Sequence, residues 1–394
     1  MENIVLERKL ILSPVKDCDW ASEMVLNPAI IEDPKTKRLH MLVRVSGPTP
    51  KKRLEGCPLP YPIFFAYAYS DDGGESFTFD FERPALSPRV EYEPEKLFIK
   101  DGRGNTVPNY ANGCVEDPRL LFVEGECYCI VAARTFPPGP YWEHDDPVQC
   151  LPEWAKREDS PIGNQKNVTT TVLYKVDLDA LSNKDYDKAF TYITDLTDPE
   201  MGEDRDVFIF PEKMKIDGKM QYVMIHRPHH PNNYEGITES RPSIVISAAE
   251  DLYSFAKGAT RRKVLYAPSL DWQGEKVGGS APMISLGGGE WLFNFHGKKS
   301  AEEGYAQSYM ILSEKENDFP EIKYLYPKKW IVNEADFEKP RKFGIPCVFF
   351  TGNVKMGDKL LVSYGAADEF AAVMELDFVK LVQILKKYPY NEEK

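Results

Sequence analysis

Polar side chains recur at the ends of short apolar runs along this chain of 394 residues. The set combines a carboxylate with arginines, histidines and a tyrosine, which together can hold the hydroxyl groups of a sugar and the charge of an anion. Its members are Arg44, Asp117, Arg119, Arg134, His226, Arg227, His296 and Tyr364. Acid catalysis by a carboxylate on a polyol, with cationic groups nearby for an anion, is the chemistry that fits this set best.

Two other chemistries find less support in the sequence. Metal catalysis needs several histidines and carboxylates at ligand spacing, but HRPHH over 226–230 is the one histidine cluster and no HExxH pairing accompanies it. Nucleophilic catalysis by serine or cysteine would need a GxSxG elbow or a Cys-His signature, and the sequence has neither. We therefore expect no metal site.

Five segments that carry most of these residues share one layout: an apolar strand, a polar turn, and a second apolar strand with a polar or aromatic end. They cover residues 27–44, 116–134, 210–227, 281–297 and 347–365. Each predicts a β-hairpin, and the intervals between them leave room for two more strands and a loop. We therefore predict an all-β fold, a five-bladed β-propeller that forms one catalytic domain over 1–394. A jelly-roll sandwich would not explain five hairpins at this spacing.

Smaller patterns add detail to the predicted propeller. The segment SDDGGESF over 70–77 fits an Asp box, a tightly closed hairpin turn that is frequent in propellers, and 247–255 resembles a degenerate copy. The acidic, proline-rich stretch around 136–166 predicts a loop insertion that shapes a binding site. Apolar residues at helical spacing predict a C-terminal amphipathic helix around 368–388, packed outside the propeller or against another subunit.

Composition narrows the class of protein. The chain has 62 acidic and 49 basic residues, a net charge of −13, which disfavours a nucleic-acid partner. No apolar run reaches the roughly 18 residues of a membrane span, and the first residues lack the zones of a signal peptide, so we expect a cytoplasmic protein without a membrane partner. The seven cysteines show no paired spacing, which predicts buried reduced thiols.

Motifs spread over most of the chain carry a resemblance to a known family. They are NPAI at 27–30, GCVEDPRL at 113–120, DRDVFIFPEK at 204–213, HRP at 226–228, KVGGSAP at 276–282, FHG at 295–297, FFTGNV at 349–354 and YGAAD at 364–368. In these motifs and their order the chain resembles glycoside hydrolase family 130, the β-mannoside phosphorylases and related β-mannosidases. The resemblance implies a five-bladed propeller and an enzyme that inverts the anomeric carbon of a β-mannoside.

The resemblance also implies roles for individual residues. Asp117 would be the general acid, which protonates the glycosidic oxygen through the mannosyl 3-hydroxyl while phosphate attacks the opposite face of the sugar. The substrate would contact Asn27, Arg44, Asn112, Glu116, Arg119, His226, Arg227, Tyr364 and Asp368. The phosphate would contact Arg205, Lys276, His296 and Tyr305.

The sequence leaves the nucleophile open. We favour an inverting β-mannoside phosphorylase that releases α-mannose 1-phosphate, because Arg205 keeps a positive charge where the family has a lysine. One alternative is an inverting β-1,2-mannosidase with a carboxylate base, for which the candidates are Glu212, Glu235, Glu239 and Glu275. A second alternative is a carbohydrate-binding propeller without catalysis. We expect no cofactor, with phosphate as co-substrate, while the linkage, the acceptor sugar and a homo-oligomer stay open.

Overall fold

The computed structural model describes residues 3–47, 63–88, 98–134, 168–274, 276–300, 302–342 and 344–391. The loop insertion predicted around 136–166 lies outside these residues.

Strands dominate the described residues and pair antiparallel in five larger sheets. The first strand is β1 (Val5–Leu12). Blade 1 contains β2 (Met24–Glu32), β3 (Leu39–Ser46), β4 (Ile63–Ser70) and β5 (Thr78–Asp80). A two-stranded ribbon follows, with β6 (Phe98–Lys100) and β7 (Thr106–Pro108). Blade 2 contains β8 (Cys114–Val123), β9 (Glu126–Arg134), β10 (Thr170–Val176) and β11 (Phe190–Asp195).

The last three blades follow in chain order. Blade 3 contains β12 (Asp204–Ile209), β13 (Met214–Ile216), β14 (Lys219–Pro228), β15 (Ile244–Ala249) and β16 (Arg261–Tyr266). Blade 4 contains β17 (Lys276–Gly279), β18 (Ile284–Gly287), β19 (Glu290–Lys298), β20 (Tyr305–Lys315) and β21 (Asp318–Leu325). Blade 5 contains β22 (Val348–Met356), β23 (Lys359–Ala366) and β24 (Phe370–Asp377), with β1 at its outer edge.

Short helices connect the strands. The α-helices are α1 (Leu178–Ser182), α2 (Tyr186–Ala189), α3 (Phe255–Gly258) and α4 (Phe378–Leu385). Among the described residues the 3-10 helices are Tyr110–Asn112, Pro199–Met201, Pro231–Asn233, Leu252–Ser254, Asp271–Gln273 and Asp336–Glu338.

The five sheets form the blades of a propeller, which confirms the predicted fold and the five predicted hairpins. Strand β1 completes blade 5 by pairing with β24, where Val5 lies opposite Leu376 and Leu10 opposite Ala372. Five hydrophobic clusters join the blades in pairs, 1 with 2, 2 with 3, 3 with 4, 4 with 5, and 5 with 1. The ring of blades is therefore closed by packing as well as by the β1–β24 pairing.

Aromatic side chains fill the contacts between blades. Phe208 of blade 3 meets Phe293 of blade 4 edge to face, with ring centroids 5.8 Å apart. Both side chains are fully buried. Burial of such a side chain contributes about 1.5–3 kcal/mol, so each blade interface has a substantial apolar core that keeps the inner strands in place.

A short hydrogen-bonded turn closes the β4–β5 hairpin at the predicted Asp box. The Ser70 hydroxyl accepts a hydrogen bond from the Gly74 amide at 2.8 Å, and Asp72 accepts one from the Ser76 amide at 3.0 Å. The predicted degenerate copy at 247–255 instead ends β15 and enters a 3-10 helix, where Asp251 accepts a hydrogen bond from the Tyr253 amide. The first segment is thus an Asp box and the second is a helix cap.

The terminal helix is shorter than the predicted range of 368–388. Residues Phe370–Asp377 form β24, because this apolar segment pairs on both sides, with β23 and β1, and sheet pairing overrides its helical spacing. Helix α4 begins at Phe378, after Asp377, whose carboxylate accepts a hydrogen bond from the Lys380 amide. Neither α4 nor another helix of the described residues is long and apolar enough to span a membrane.

Candidate active site

Three inner strands carry a bulge at equivalent places. Asn27 in β2, Asp117 in β8 and Asp206 in β12 have positive φ angles of 48°, 47° and 54°, and the pairing register shifts at each of them. Left-handed backbone costs most residues about 1–2 kcal/mol and is least unfavourable for Asn and Asp. The bulges take the three side chains out of the alternation of the strand and bring them to polar groups of neighbouring blades.

Asp117 lies in a cluster formed by blades 1 and 2. Its Oδ1 accepts hydrogen bonds from Asn27 Nδ2 at 2.7 Å and from Arg44 at 2.8 Å. Its Oδ2 accepts none from the residues that the structure describes. Burial raises the pKa of this carboxyl, but the positive charges of Arg44, Arg119 and Arg205 hold it well below its usual range. Asp117 is therefore ionised, and one of its oxygens has no partner among the described side chains.

Asp368 adds a second carboxyl to this cluster. It follows β23 in a turn with a φ of 55° and interacts electrostatically with Arg44 and Asp117. Burial raises the pKa of Asp368, and although a hydrogen bond with Cys347 and the charge of Arg44 lower it, the net shift is upward. The pKa values of Asp117 and Asp368 are thus pushed apart, as they are in sites where two carboxyl groups take different roles. We call Asn27, Arg44, Asp117 and Asp368 the Asp117 cluster.

A second carboxylate, Asp206, lies where blades 2, 3 and 4 meet. Its Oδ2 accepts a hydrogen bond from Arg227 Nε at 2.5 Å and lies 3.5 Å from His296 Nε2, while its Oδ1 lies 3.9 Å from Arg119. Gly278 leaves room for this contact, because a Cβ there would lie 2.7 Å from Arg227 Cδ and 2.8 Å from His296 Cε1. Burial raises the pKa of Asp206, but the neighbouring cations, Arg227 first, hold it below its usual value.

Lys276 and Tyr305 extend the positive charge around Arg227. Lys276 Nζ donates a hydrogen bond to Tyr305 Oη at 2.8 Å, and Lys298 Nζ lies 5.7 Å from the centre of the same ring. Burial and the charges of Arg227 and Lys298 lower the pKa of Lys276 to about 7. These cations can hold an anion through charge-assisted hydrogen bonds. We call Asp206, Arg227, Lys276, His296, Lys298 and Tyr305 the Asp206 cluster.

His296 is a neutral member of the Asp206 cluster. Its Nδ1 lies 2.9 Å from Ser280 Oγ, and its ring packs against Phe349 and Tyr305 at centroid distances of 4.8 and 5.5 Å. Burial lowers the pKa of His296 to about 3. At neutral pH it therefore contributes shape and hydrogen bonding rather than positive charge.

Arg205 and Glu116 form a buried ion pair beside the Asp117 cluster. Arg205 donates to Glu116 at 3.1 Å, to Glu203 at 3.0 Å and to Thr169 at 2.7 Å, each from a different nitrogen of the guanidinium group. Glu116 is fully buried. The protein thus holds all three nitrogens of Arg205, and the predicted contacts of Arg205 with phosphate and of Glu116 with sugar are not supported.

Two side chains that were predicted to contact the sugar, those of His226 and Tyr364, point away from the two clusters. His226 Nδ1 lies 2.7 Å from Asp204 Oδ2 and its Nε2 lies 2.8 Å from Ser247 Oγ, so both ring nitrogens have protein partners. Because neighbouring side chains on a strand face opposite sides, His226 faces the blade interior when Arg227 faces Asp206. Tyr364 is fully buried, and its hydroxyl donates to Glu338 at 2.7 Å. Both side chains are therefore held by protein partners, and this geometry does not support the predicted contacts of His226 and Tyr364 with sugar.

The candidate bases are dispersed. Glu212 is exposed, and its neighbour Pro211 accepts a hydrogen bond from Glu124 in the β8–β9 turn, at the other end of β8 from Asp117. Glu239 binds Arg241 through both oxygens, at 3.0 and 2.8 Å, and Glu235 is exposed. Glu275 lies outside the described residues, and Asn112 is described only by its backbone, at the end of a 3-10 helix.

Sequence reasoning missed Asp206 and Lys298 and assigned Arg227 to the sugar. A signal for Asp206 was present, since Asn27, Asp117 and Asp206 stand at matching places in the first strand of three successive repeats. The terminal nitrogens of Arg227 donate to no residue that the structure describes, whereas its Nε is fixed by Asp206. Two nitrogens of Arg227 can therefore donate to a ligand.

Comparison with known proteins identifies the family. A family model described as β-1,4-mannooligosaccharide phosphorylase, of glycoside hydrolase family 130, matches residues 162–387, more than half of the chain. A search of curated protein sequences found no match.

Solved structures are similar over nearly the whole chain. A β-1,2-mannobiose phosphorylase from Listeria innocua, in complex with β-1,2-mannobiose, is 19% identical with a TM-score of 0.59 and covers 98% of this chain and 95% of its own. A structure described with family 130 glycoside hydrolases that target β-1,2 mannosidic linkages in Candida mannan is 15% identical with a TM-score of 0.59 (95% and 94% covered). A mannose phosphorylase from Leishmania mexicana, in complex with phosphate ion, is 13% identical with a TM-score of 0.50 (95% and 89%). These structures share the fold, and by the match to its family model the chain belongs to glycoside hydrolase family 130, as a phosphorylase or hydrolase of β-mannosides.

Proposed function

We propose that this protein is an inverting β-mannoside phosphorylase, which cleaves mannobiose or mannooligosaccharides with inorganic phosphate and releases α-mannose 1-phosphate. The observation that carries the proposal is that Arg119 bridges the two clusters. It donates to the backbone oxygen of Asp117 at 3.0 Å and lies 3.9 Å from Asp206. Phosphorolysis needs an acid and an anion site next to each other, because the proton goes to the oxygen and the phosphate to the anomeric carbon of the same glycosidic bond.

Asp117 supplies the proton in this proposal. It is ionised in the empty site, so it must take up a proton as the sugar binds, and the exclusion of water by the sugar favours that uptake. The proton then passes through the mannosyl 3-hydroxyl to the glycosidic oxygen while the bond to the anomeric carbon breaks. Asn27, Arg44 and Asp368 offer the donors and acceptors that the other mannose hydroxyls require.

Arg227 and Lys276 bind the phosphate in this proposal. Asp206 fixes Arg227 through Nε, which leaves the two terminal nitrogens for bidentate contact with an oxyanion. Lys276 and Tyr305 add two further polar groups at the same place. Phosphate is its own nucleophile, so the reaction requires no carboxylate base.

An inverting hydrolase has less support. It requires a base carboxylate about 6.5–9.5 Å from the acid, with room for a water molecule between them. Glu212 lies near a turn at the other end of β8, and Glu239 is held by Arg241. Asp206 is nearer, but its Oδ2 is held by Arg227. A carbohydrate-binding propeller without catalysis would not account for a buried carboxylate beside a group of cations.

We also propose a cytoplasmic location and no cofactor other than phosphate as co-substrate. The cysteines of the described residues are buried with free thiols; they are Cys18, Cys114, Cys127, Cys129 and Cys347. Buried free thiols are typical of proteins from reducing compartments.

The proposal is tested by incubating the protein with β-1,2- and β-1,4-mannobiose, with and without inorganic phosphate. We expect turnover that depends on phosphate, α-mannose 1-phosphate as the product identified by NMR, and synthesis of a mannoside when that product is supplied with an acceptor sugar. Asp117→Asn is the matched control and should be inactive in both directions. Release of mannose at full rate without phosphate would show that the protein is a hydrolase.

A further inference from the structure

A carboxylate stands in the middle of the cations that would bind phosphate, and its presence there needs an explanation. Asp206 contacts Arg227 and lies close to His296 and Arg119, and its side chain is only 4% exposed. A fixed negative charge repels an anion and weakens its binding. A site that only collected positive charge would be stronger without Asp206.

The two oxygens of Asp206 have different surroundings. Oδ2 accepts the hydrogen bond from Arg227 Nε, which accounts for one oxygen as a support for the arginine. Oδ1 accepts no hydrogen bond within the described part of the chain, and Arg119 Nη2 lies 3.9 Å from it. Oδ1 is thus an acceptor without a donor among the described residues, on a carboxylate that lies within the Asp206 cluster.

We propose that Asp206 Oδ1 reads the proton of hydrogenphosphate, so that the anion site takes phosphate and rejects sulfate. The proposal rests on the proposed phosphorolysis and deepens it, because it names the protonation state of the co-substrate. At neutral pH every phosphate ion carries at least one P–OH group, and this group can donate to Oδ1. The other phosphate oxygens can then accept from Arg227, Lys276 and Tyr305.

Sulfate has nearly the same size and shape as phosphate but carries no proton at neutral pH. A sulfate oxygen in the place of the P–OH group would face the Asp206 carboxylate, and neither of the two groups has a hydrogen to donate. A buried polar group that loses its partner in this way discriminates strongly between ligands of the same shape. Arsenate keeps a proton at neutral pH, so it should replace phosphate.

The experiment compares phosphate with sulfate in the full-length enzyme and in Asp206→Asn. The Michaelis constant for phosphate and the inhibition constant for sulfate give one discrimination ratio for each protein. In the variant the amide oxygen can still accept from Arg227 Nε, while its NH₂ group replaces an acceptor by a donor. We expect the preference for phosphate over sulfate to be about tenfold or more smaller in Asp206→Asn, because sulfate inhibits the variant more strongly than it inhibits the unaltered enzyme.

Glu203→Gln is the matched control, because it removes the same charge beside Arg205 and Arg227 without changing Asp206. We expect the control to shift both anions together and to leave the ratio unchanged. If Asp206→Asn also weakens phosphate and sulfate equally, Asp206 only positions Arg227 and the proposal is wrong.

The unaltered enzyme provides a second measurement should Asp206→Asn fail to fold. We expect arsenate to support turnover. We expect the inhibition constant for sulfate to be at least about a hundredfold higher than the Michaelis constant for phosphate. Equal binding of sulfate and phosphate would refute the role of Asp206 and leave phosphorolysis intact. Phosphate-independent turnover that Asp206→Asn abolishes would instead refute phosphorolysis and assign Asp206 as a hydrolytic base.

Discussion

The Asp117 and Asp206 clusters begin from the same backbone feature and end with different chemistry. Both carboxylates occupy the bulge of an inner strand, at φ angles of 47° and 54°. In blade 3 the residue before the bulge, Arg205, pairs across the ladder with Arg227, which binds Asp206 of its own blade. In blade 2 the matching cross-strand residue is Ala132, and Asp117 takes Arg44 from blade 1 instead.

This difference changes what each carboxylate can do. The partner of Asp206 comes from its own sheet, and the terminal nitrogens of Arg227 donate to no residue among those described. The partners of Asp117 come from the neighbouring blade and all reach Oδ1, which leaves Oδ2 without a protein donor. Repetition of one blade thus supplies matching positions, and the residue across the ladder decides whether the carboxylate at that position is paired within its own blade or by the neighbouring blade.

The largest expected effect separates the two carboxylates at the chemical step. Asp117→Asn should reduce turnover by at least about a hundredfold, because the amide keeps the shape of the side chain but cannot act as an acid. We expect calorimetry to show mannobiose binding close to that of the unaltered protein, and the melting temperature to change little. Turnover within a few-fold of the unaltered enzyme would remove Asp117 from the role of acid.

The next largest effect is expected to differ between Arg205 and Arg227, which lie opposite each other on neighbouring strands. Arg227→Gln should raise the Michaelis constant for phosphate by about 10- to 100-fold and leave that for mannobiose nearly unchanged, since it removes a charged donor from the anion site. Arg205→Gln should instead lower the free energy of unfolding by about 3 kcal/mol, because Glu116 loses a buried partner. Steady-state kinetics and denaturant unfolding of both variants check the contrast; the reverse pattern would exchange the two roles.

Part of the fold and of the candidate site could be predicted from the sequence. The five repeated hairpin patterns were enough to predict the five blades, because a strand–turn–strand pattern can be recognised whatever segments lie between its copies. The motif EDPR drew attention to Asp117, which the structure places with Asn27, Arg44 and Asp368; its role as the acid stays a prediction.

The sequence could not indicate the direction in which these side chains point. Arg205 and Arg227 are both arginines near strand ends, and only the register and the bulge at Asp206 show which one the protein occupies and which one it leaves for a ligand. For the same reason His226 and Tyr364 matched strand ends but are held by buried partners. Sequence spacing cannot reveal a bulge that reverses the alternation beyond it.

A pair of glycines allows each cluster to be disturbed by one methyl group. A Cβ at Gly365 would lie 3.0 Å from the Asn27 backbone nitrogen and closer still to its side-chain oxygen, whereas a Cβ at Gly278 would press on Arg227 and His296. Gly365→Ala should lower the turnover number about tenfold with little change in the Michaelis constant for phosphate. Gly278→Ala should raise the Michaelis constant for phosphate by a similar factor.

Kinetics of the two glycine variants at saturating concentrations of the other substrate distinguish the outcomes. Equal effects on both parameters in both variants would mean that the clusters move as one body. In that case Arg119 couples them rigidly, and the two carboxylates do not act independently.

The smallest expected effect concerns pH and belongs to the Asp206 cluster alone. The pKa of Lys276 is lowered to about 7, so its positive charge is present below that pH and is lost as the pH rises through it. We expect kcat/KM for phosphate to fall about three- to tenfold more between pH 6.5 and 8.5 in the unaltered enzyme than in Lys276→Arg, which stays charged. The ionisation of phosphate itself is the same for both proteins, so it does not affect the difference between their pH profiles.

The titration of Lys276 can be observed in kcat/KM because this parameter reports the free enzyme, in which no phosphate is bound. Identical pH profiles would mean that Lys276 keeps its charge throughout this range, and would contradict the prediction.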